Sequence, residues 1–233
     1  MREADLDAAR RRFQEDPSAR AAFLGGLGVS AAEQAAFKVS LFCYPHAPVA
    51  ALFDALQGHP APVLCLVPDG VAPDAVAGFL GSPAVPGATC TRGSLTVRVL
   101  PFLEQTAYDK LLWACDLNFV RGEDSIVRAQ WAGRPFVWHI YPQDENLHHV
   151  KLRAFLQRFS PHIDAANAFN LGWNHALPAQ PPMSASWTAY AAALADSAAR
   201  TEQWQAEMAG HGDLASNLLR FAETVRAANR SAP

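Results

Sequence analysis

No two cysteines stand at CxxC spacing anywhere in these 233 residues. Cys43, Cys65, Cys90 and Cys115 lie far apart, and three of them fall in or beside apolar runs. Small buried thiols are therefore expected, not a zinc knuckle or a disulfide framework. No apolar run approaches the roughly 18 residues of a membrane span. The opening MREADLDAARRRF is charged where a signal peptide would carry its apolar stretch. A cytoplasmic protein with no membrane partner is expected. Basic residues do not cluster either, and 19 Lys and Arg against 22 Asp and Glu leave a formal charge of −3. That argues against a broad nucleic-acid surface and leaves room for a local phosphate pocket. No GxGxxG follows the first predicted strand, which disfavours a dinucleotide-dependent dehydrogenase. His148 and His149 have no carboxylate at zinc spacing, so no metal site is assigned.

What is present is an ordinary globular composition, 50% hydrophobic and 18% charged. A chain of this length forms one large domain or two small ones and buries about 70% of its unfolded surface. Over residues 3–27 Leu6, Ala9, Phe13, Ala22, Phe23 and Leu24 recur at helical spacing. The pattern breaks at Asp16-Pro17, where Pro17 suits a first helical turn and Asp16 its cap. Beyond it, strands are predicted at Phe37–Cys43, Pro62–Val67, Leu95–Leu100, Asp116–Val120 and Pro135–Ile140. Arg98, inside the third, points to an edge or a cleft. Helices are predicted between them at Pro48–Gln57, Pro73–Leu80, Gln105–Ala114 and Asp124–Trp131. This alternation implies right-handed βαβ units and an α/β fold with a Rossmann-like, mainly parallel sheet flanked by helices. From Leu147 onward a helical C-terminal tail is expected, in segments Leu147–Phe159, Ile163–Trp173, Trp187–Glu207 and Leu214–Ala228.

Polar residues concentrate directly after strands in the stretch 101–143, PFLEQTAYDKLLWACDLNFVRGEDSIVRAQWAGRPFVWHIYPQ. In an open parallel sheet, ligands bind outside the carboxyl ends of the strands, near the topological switch point. Phe102 with Gln105, Arg121-Gly122-Glu123-Asp124-Ser125, and Tyr141-Pro142-Gln143 should crowd one such edge. Gly122 permits a tight strand-to-helix turn, so the amides of Asp124, Ser125 and Ile126 would open an anion site for a diphosphate. Arg121 or Arg128 supplies charge there, while Glu123 and Asp124 suit hydroxyl groups. The alternative is that Asp124 and Ser125 only cap a helix. Phe102 and Gln105 form a base-binding pair, one ring face and one amide, or else Phe102 belongs to the core. Tyr44, past the first strand, has the same two readings. Trp113, Trp131, Trp138 and His139 read as structural, as do Asp109 and Asp116.

This stretch, with FKVSLFCY upstream and HHVKLRAFL downstream, resembles the signature region of the EarP family, the arginine rhamnosyltransferases that mature bacterial elongation factor P. The resemblance runs from near residue 1 to about residue 228. It implies the carboxyl-terminal half of a GT-B glycosyltransferase and inverting transfer of rhamnose from dTDP-β-L-rhamnose to one arginine of elongation factor P. No cofactor or metal is implied. Donor-binding positions carry over as Tyr44, Phe102, Gln105, Arg121, Glu123, Asp124, Ser125 and Tyr141. Phe102 and Gln105 would hold thymine, and the Glu123–Ser125 turn the ribose and diphosphate. Family members are longer and begin with a further Rossmann half, whose aspartates serve as base and hold the acceptor. No catalytic residue is therefore assigned in this chain. Residues 1–30 are expected to connect to that half, 31–178 to bind the nucleotide-sugar, and 179–233 to pack on the domain as a helical tail. The competing expectation is a nucleotide-binding module inactive on its own.

Overall fold

Alternation along the strands sends successive side chains to opposite faces, and here both faces are covered. The computed structural model describes residues 3–230. The outermost residues of the expected first and last segments, 1–2 and 231–233, lie outside the described residues. One six-stranded sheet comprises β1 (Phe37–Leu41), β2 (Val63–Pro68), β3 (Thr89–Arg92), β4 (Leu95–Leu100), β5 (Leu117–Arg121) and β6 (Phe136–His139). The strand order is β3-β4-β2-β1-β5-β6, and every neighbouring pair is parallel except β3 with β4.

In β2, Val63, Cys65 and Val67 enter one core, together with Val39 and Leu41 of β1. That core is closed by α4 (Val49–Gln57), α5 (Pro73–Leu80), α9 (Asp164–Trp173) and α10 (Met183–Ala192). Leu64 and Leu66 enter the opposite core. Helices α1 (Glu3–Glu15), α2 (Pro17–Gly26), α6 (Gln105–Ala114), α7 (Gly122–Ala132), α8 (Leu147–Phe159) and α11 (Leu194–Gly210) cover it. The result is the expected α/β architecture of three layers. Cys43, Cys65 and Cys115 are buried and unbridged, and burial pushes the Cys43 thiol up to about 12.

The local signals behave as their chemistry requires. The Asp16 carboxylate accepts from the Ser18 and Ala19 amides at 2.9 and 3.0 Å, with Pro17 opening α2. Short elements escaped the periodicity, and the helix expected over Trp187–Glu207 is two helices broken at Ala193. Helix α3 (Ala31–Gln34) is only four residues long, closed by a capping box between Ser30 and Glu33. Strand β3 is polar and largely exposed, and it turns back into β4 through Gly93-Ser94. Gly93 has φ +55°, and a Cβ there would lie 2.5 Å from the Gln57 carbonyl oxygen, so only glycine fits. Arg98 is one strand in from the edge and pairs with Glu33 at 2.7 Å, which accounts for a charge inside an apolar strand.

In the tail, α10 packs on α4 and α9, and α11 on α7. In α12 (Leu214–Arg230), Leu214, Leu218, Phe221 and Val225 share one face at helical spacing, and all four are exposed. Among the described residues no helix is long and apolar enough to cross a membrane.

Candidate functional site

The strand order fixes where a ligand can sit. From β1 the chain builds outward through β2 and β4, then returns to the other side of β1 with β5 and β6. The switch point lies between β1 and β5, and the crevice beyond their carboxyl ends is where such sheets bind ligands. Tyr44 follows β1 there, Arg121-Gly122-Glu123 follow β5, and Tyr141 follows β6. Tyr44, Gly122, Glu123, Tyr141, Gln143 and Lys151 line one cavity of about 220 Å³. Three of the sequence-predicted residues, Tyr44, Glu123 and Tyr141, are thus brought together.

Gly122 makes the junction possible. Its φ is +67°, and a Cβ would stand 3.0 Å from the Tyr44 hydroxyl. Its carbonyl accepts from Trp138 Nε1 at 2.9 Å, which ties the turn to β6. Arg121 lies against the rings that precede the cavity. Its guanidinium carbon is 4.2 Å from the Phe42 centroid and 5.2 Å from that of Tyr44, and it donates to the Cys43 carbonyl at 3.1 Å. Tyr44 meets Tyr141 edge-on with centroids 5.7 Å apart. Burial raises the Tyr44 phenol above its usual value, so at neutral pH it is a hydrogen-bond donor.

His139 holds this arrangement from beneath. Its Nδ1 accepts from the Tyr44 amide at 3.2 Å, so the ring proton is assigned to Nε2, which donates to His46 Nε2 at 2.9 Å. Burial, with His46 and His175 close by, pushes its pKa down to about 3. The structural reading of His139 holds, and its task is to position Tyr44.

The turn after β5 differs from the expected one in a consequential detail. Helix α7 begins at Gly122, two residues before the predicted start. Its amides without intrahelical acceptors are those of the first turn, Gly122 to Asp124, and not Asp124 to Ile126. No side chain caps it. The Asp124 carboxylate instead accepts from Arg128 Nε at 2.7 Å, and Arg128 bonds both oxygens of buried Asp109 at 2.8 and 2.9 Å. Arg128 is thereby committed within the protein, and Ser125 is buried behind the turn. Asp109 and Asp116 have the structural roles expected of them. Burial pushes the Asp109 carboxyl up against the opposing pull of Arg128. Asp116 accepts from the Lys38 amide and lies 3.2 Å from its ammonium.

Phe102 and Gln105 stand apart from the cavity. Phe102 is 84% exposed in the segment after β4, so it is no core residue. Gln105 is the exposed first residue of α6. Tyr108, one turn on, packs edge-on against Phe42 at 5.6 Å, so α6 begins over the β1 side of the same sheet edge. Two residues of the cavity were not singled out from sequence. Gln143 was named only as a member of the cluster after β6 and given no role. Lys151 comes from α8, which no local motif ties to the strands. The loop returns because the Gln143 amide donates to His148 Nδ1 at 3.1 Å, bringing the start of α8 over the cavity. Among the described residues no three His, Cys, Asp or Glu side chains are placed to hold a metal ion.

Fold and cleft together define a Rossmann-like α/β domain with a cavity at the sheet's switch point. Comparison with known proteins carries this to a family. The model for "Elongation-Factor P (EF-P) rhamnosyltransferase EarP" matches residues 1–223, and the chain belongs to that family. It is 43% identical over 223 residues to a protein-arginine rhamnosyltransferase of Pseudomonas putida, covering 95% of this chain and 59% of the relative. The corresponding protein of Pseudomonas aeruginosa is 40% identical over 227 residues, with the same coverage. A solved structure concerned with EarP-mediated arginine glycosylation of translation elongation factor EF-P superposes with a TM-score of 0.77 at 40% identity. It covers 94% of this chain and 70% of that one. The chain therefore spans a little over half the length of these curated relatives.

Proposed function

We propose that this chain is the donor-binding part of a protein-arginine rhamnosyltransferase, taking dTDP-β-L-rhamnose for inverting, metal-free transfer to an arginine of elongation factor P. The observation that carries the reading is the cavity at the β1/β5 switch point, lined by Tyr44, Glu123 and Tyr141. Family membership supplies the chemistry. In this reading Phe102 stacks on thymine and Gln105 bonds its polar edge, at the sheet edge where α6 begins. Glu123 takes a sugar or ribose hydroxyl, because a carboxylate repels phosphate. The first-turn amides of α7 face the diphosphate, with Arg121 and the Tyr44 and Tyr141 hydroxyls beside it. Asp124 and Ser125 act from behind, Asp124 by holding Arg128 and Ser125 by packing the turn. Residues 31–178 form the nucleotide-sugar domain of a GT-B half, 1–30 lead toward the other half, and 179–233 are its helical tail. Isothermal titration tests the reading. The chain should bind dTDP-rhamnose and dTDP more tightly than UDP or ADP, and equal affinity for all would remove the base-reading role of Phe102 and Gln105.

A further inference from the structure

A nucleoside diphosphate brings at least two negative charges into a cavity that already holds a carboxylate, Glu123. Something positive must offset them. Arg128 is neutralised by Asp109 and Asp124, whereas Arg121, held by the Cys43 carbonyl and the rings of Phe42 and Tyr44, keeps its charge and offsets one of those on the ligand. Lys151 is placed to offset another. It lines the cavity from α8, and no carboxylate among the described residues lies within 4.0 Å of its ammonium. Its neighbour Leu152 is fully buried, with Leu156 a turn later, so the helix that presents Lys151 is anchored while the side chain itself is exposed. The Gln143–His148 bond fixes where that helix starts.

We infer that Lys151 is a second cation that, with Arg121, holds the diphosphate of the bound nucleotide. This rests on the donor-site reading above and adds to it a residue outside the donor-binding positions that the resemblance implies. Lys151 and Glu123 then divide the cavity, the ammonium facing phosphate oxygens and the carboxylate facing hydroxyl hydrogens. A free nucleoside diphosphate carries close to one more negative charge than its sugar ester near neutral pH. Lys151 should therefore favour the leaving diphosphate more than the intact donor.

Titration calorimetry with dTDP, dTDP-rhamnose and dTMP on the parent chain, Lys151→Ala and Lys151→Arg tests this. A charge-assisted hydrogen bond to phosphate predicts that Lys151→Ala weakens dTDP binding about 10- to 100-fold. The loss should be smaller for dTDP-rhamnose and smallest for dTMP, and Lys151→Arg should regain most of it. Raising salt should weaken dTDP binding more steeply in the parent than in Lys151→Ala. The melting temperatures of the ligand-free proteins should agree, since the side chain is exposed. A parent that binds dTDP while Lys151→Ala binds it within twofold would overturn the assignment. A parent that binds no dTDP would overturn the donor-site reading itself, and the assignment with it.

Discussion

Lowering the pH should destabilise this protein through imidazoles that burial keeps neutral, His46, His139 and His148, and the share carried by His139 can be worked out. His139 is 1% exposed, its Nδ1 accepts from the Tyr44 amide, and its pKa is pushed down to about 3, chiefly by burial. In the unfolded chain the same group titrates near 6.5. Between those values the unfolded state binds more protons than the folded one, so stability falls as pH falls. The contribution of His139 is intact above about pH 6.5 and is lost progressively toward pH 3. From pH 7 to pH 5 the loss is about 2 kcal/mol. His139→Asn isolates it, because the Asn side-chain oxygen can accept from the Tyr44 amide in place of Nδ1 but does not titrate. Urea unfolding at pH 7, 6 and 5 should show the variant less stable at pH 7. The gap to the parent should then narrow by about 2 kcal/mol at pH 5. Parallel pH dependence of the two proteins would mean that His139 is solvated or already charged in the folded state, and the positioning of Tyr44 would need another cause.

Two further outcomes follow from the same geometry. Phe102→Ala should leave the unfolding free energy within about 0.5 kcal/mol of the parent, since an exposed side chain contributes little to folding. It should cost about 1–3 kcal/mol in dTDP affinity if the ring stacks on the base, measured by calorimetry, and no loss would leave Phe102 an incidental surface ring. Asp109→Ala strands Arg128 with only exposed Asp124 as partner, and breaking such a buried pair should cost about 3–5 kcal/mol in urea unfolding. A cost below 1 kcal/mol would show that Arg128 is free to turn outward and serve a ligand.

The layered α/β fold was legible because its signals are local. Apolar runs such as Val63–Val67 announce buried parallel strands, and Asp16-Pro17 announces a helix start. Helix α3 and strand β3 were not, since four residues give no period and an exposed polar edge strand has no apolar face. The start of α7 was misjudged because Asp124 looked like a cap, whereas its carboxylate is spent on Arg128 and glycine alone makes the turn. Tyr44, Glu123 and Tyr141 were found by their position after strands, a rule that works for whatever the sheet itself presents. Lys151 escaped that rule because its place depends on how a loop folds back, through a hydrogen bond between Gln143 and His148.

The claim that the turn at Arg121–Ser125 holds the donor is tested most directly by the thermal shift of Glu123→Ala with dTDP-rhamnose. Glu123 is exposed and makes no capping bond, so the ligand-free variant should melt within a degree or two of the parent, as surface substitutions do. Saturating dTDP-rhamnose should raise the melting temperature of the parent, and most of that shift should vanish in Glu123→Ala, because the shift reports ligand affinity. A variant that shifts as far as the parent would make Glu123 a solvated surface carboxylate and place the donor site elsewhere.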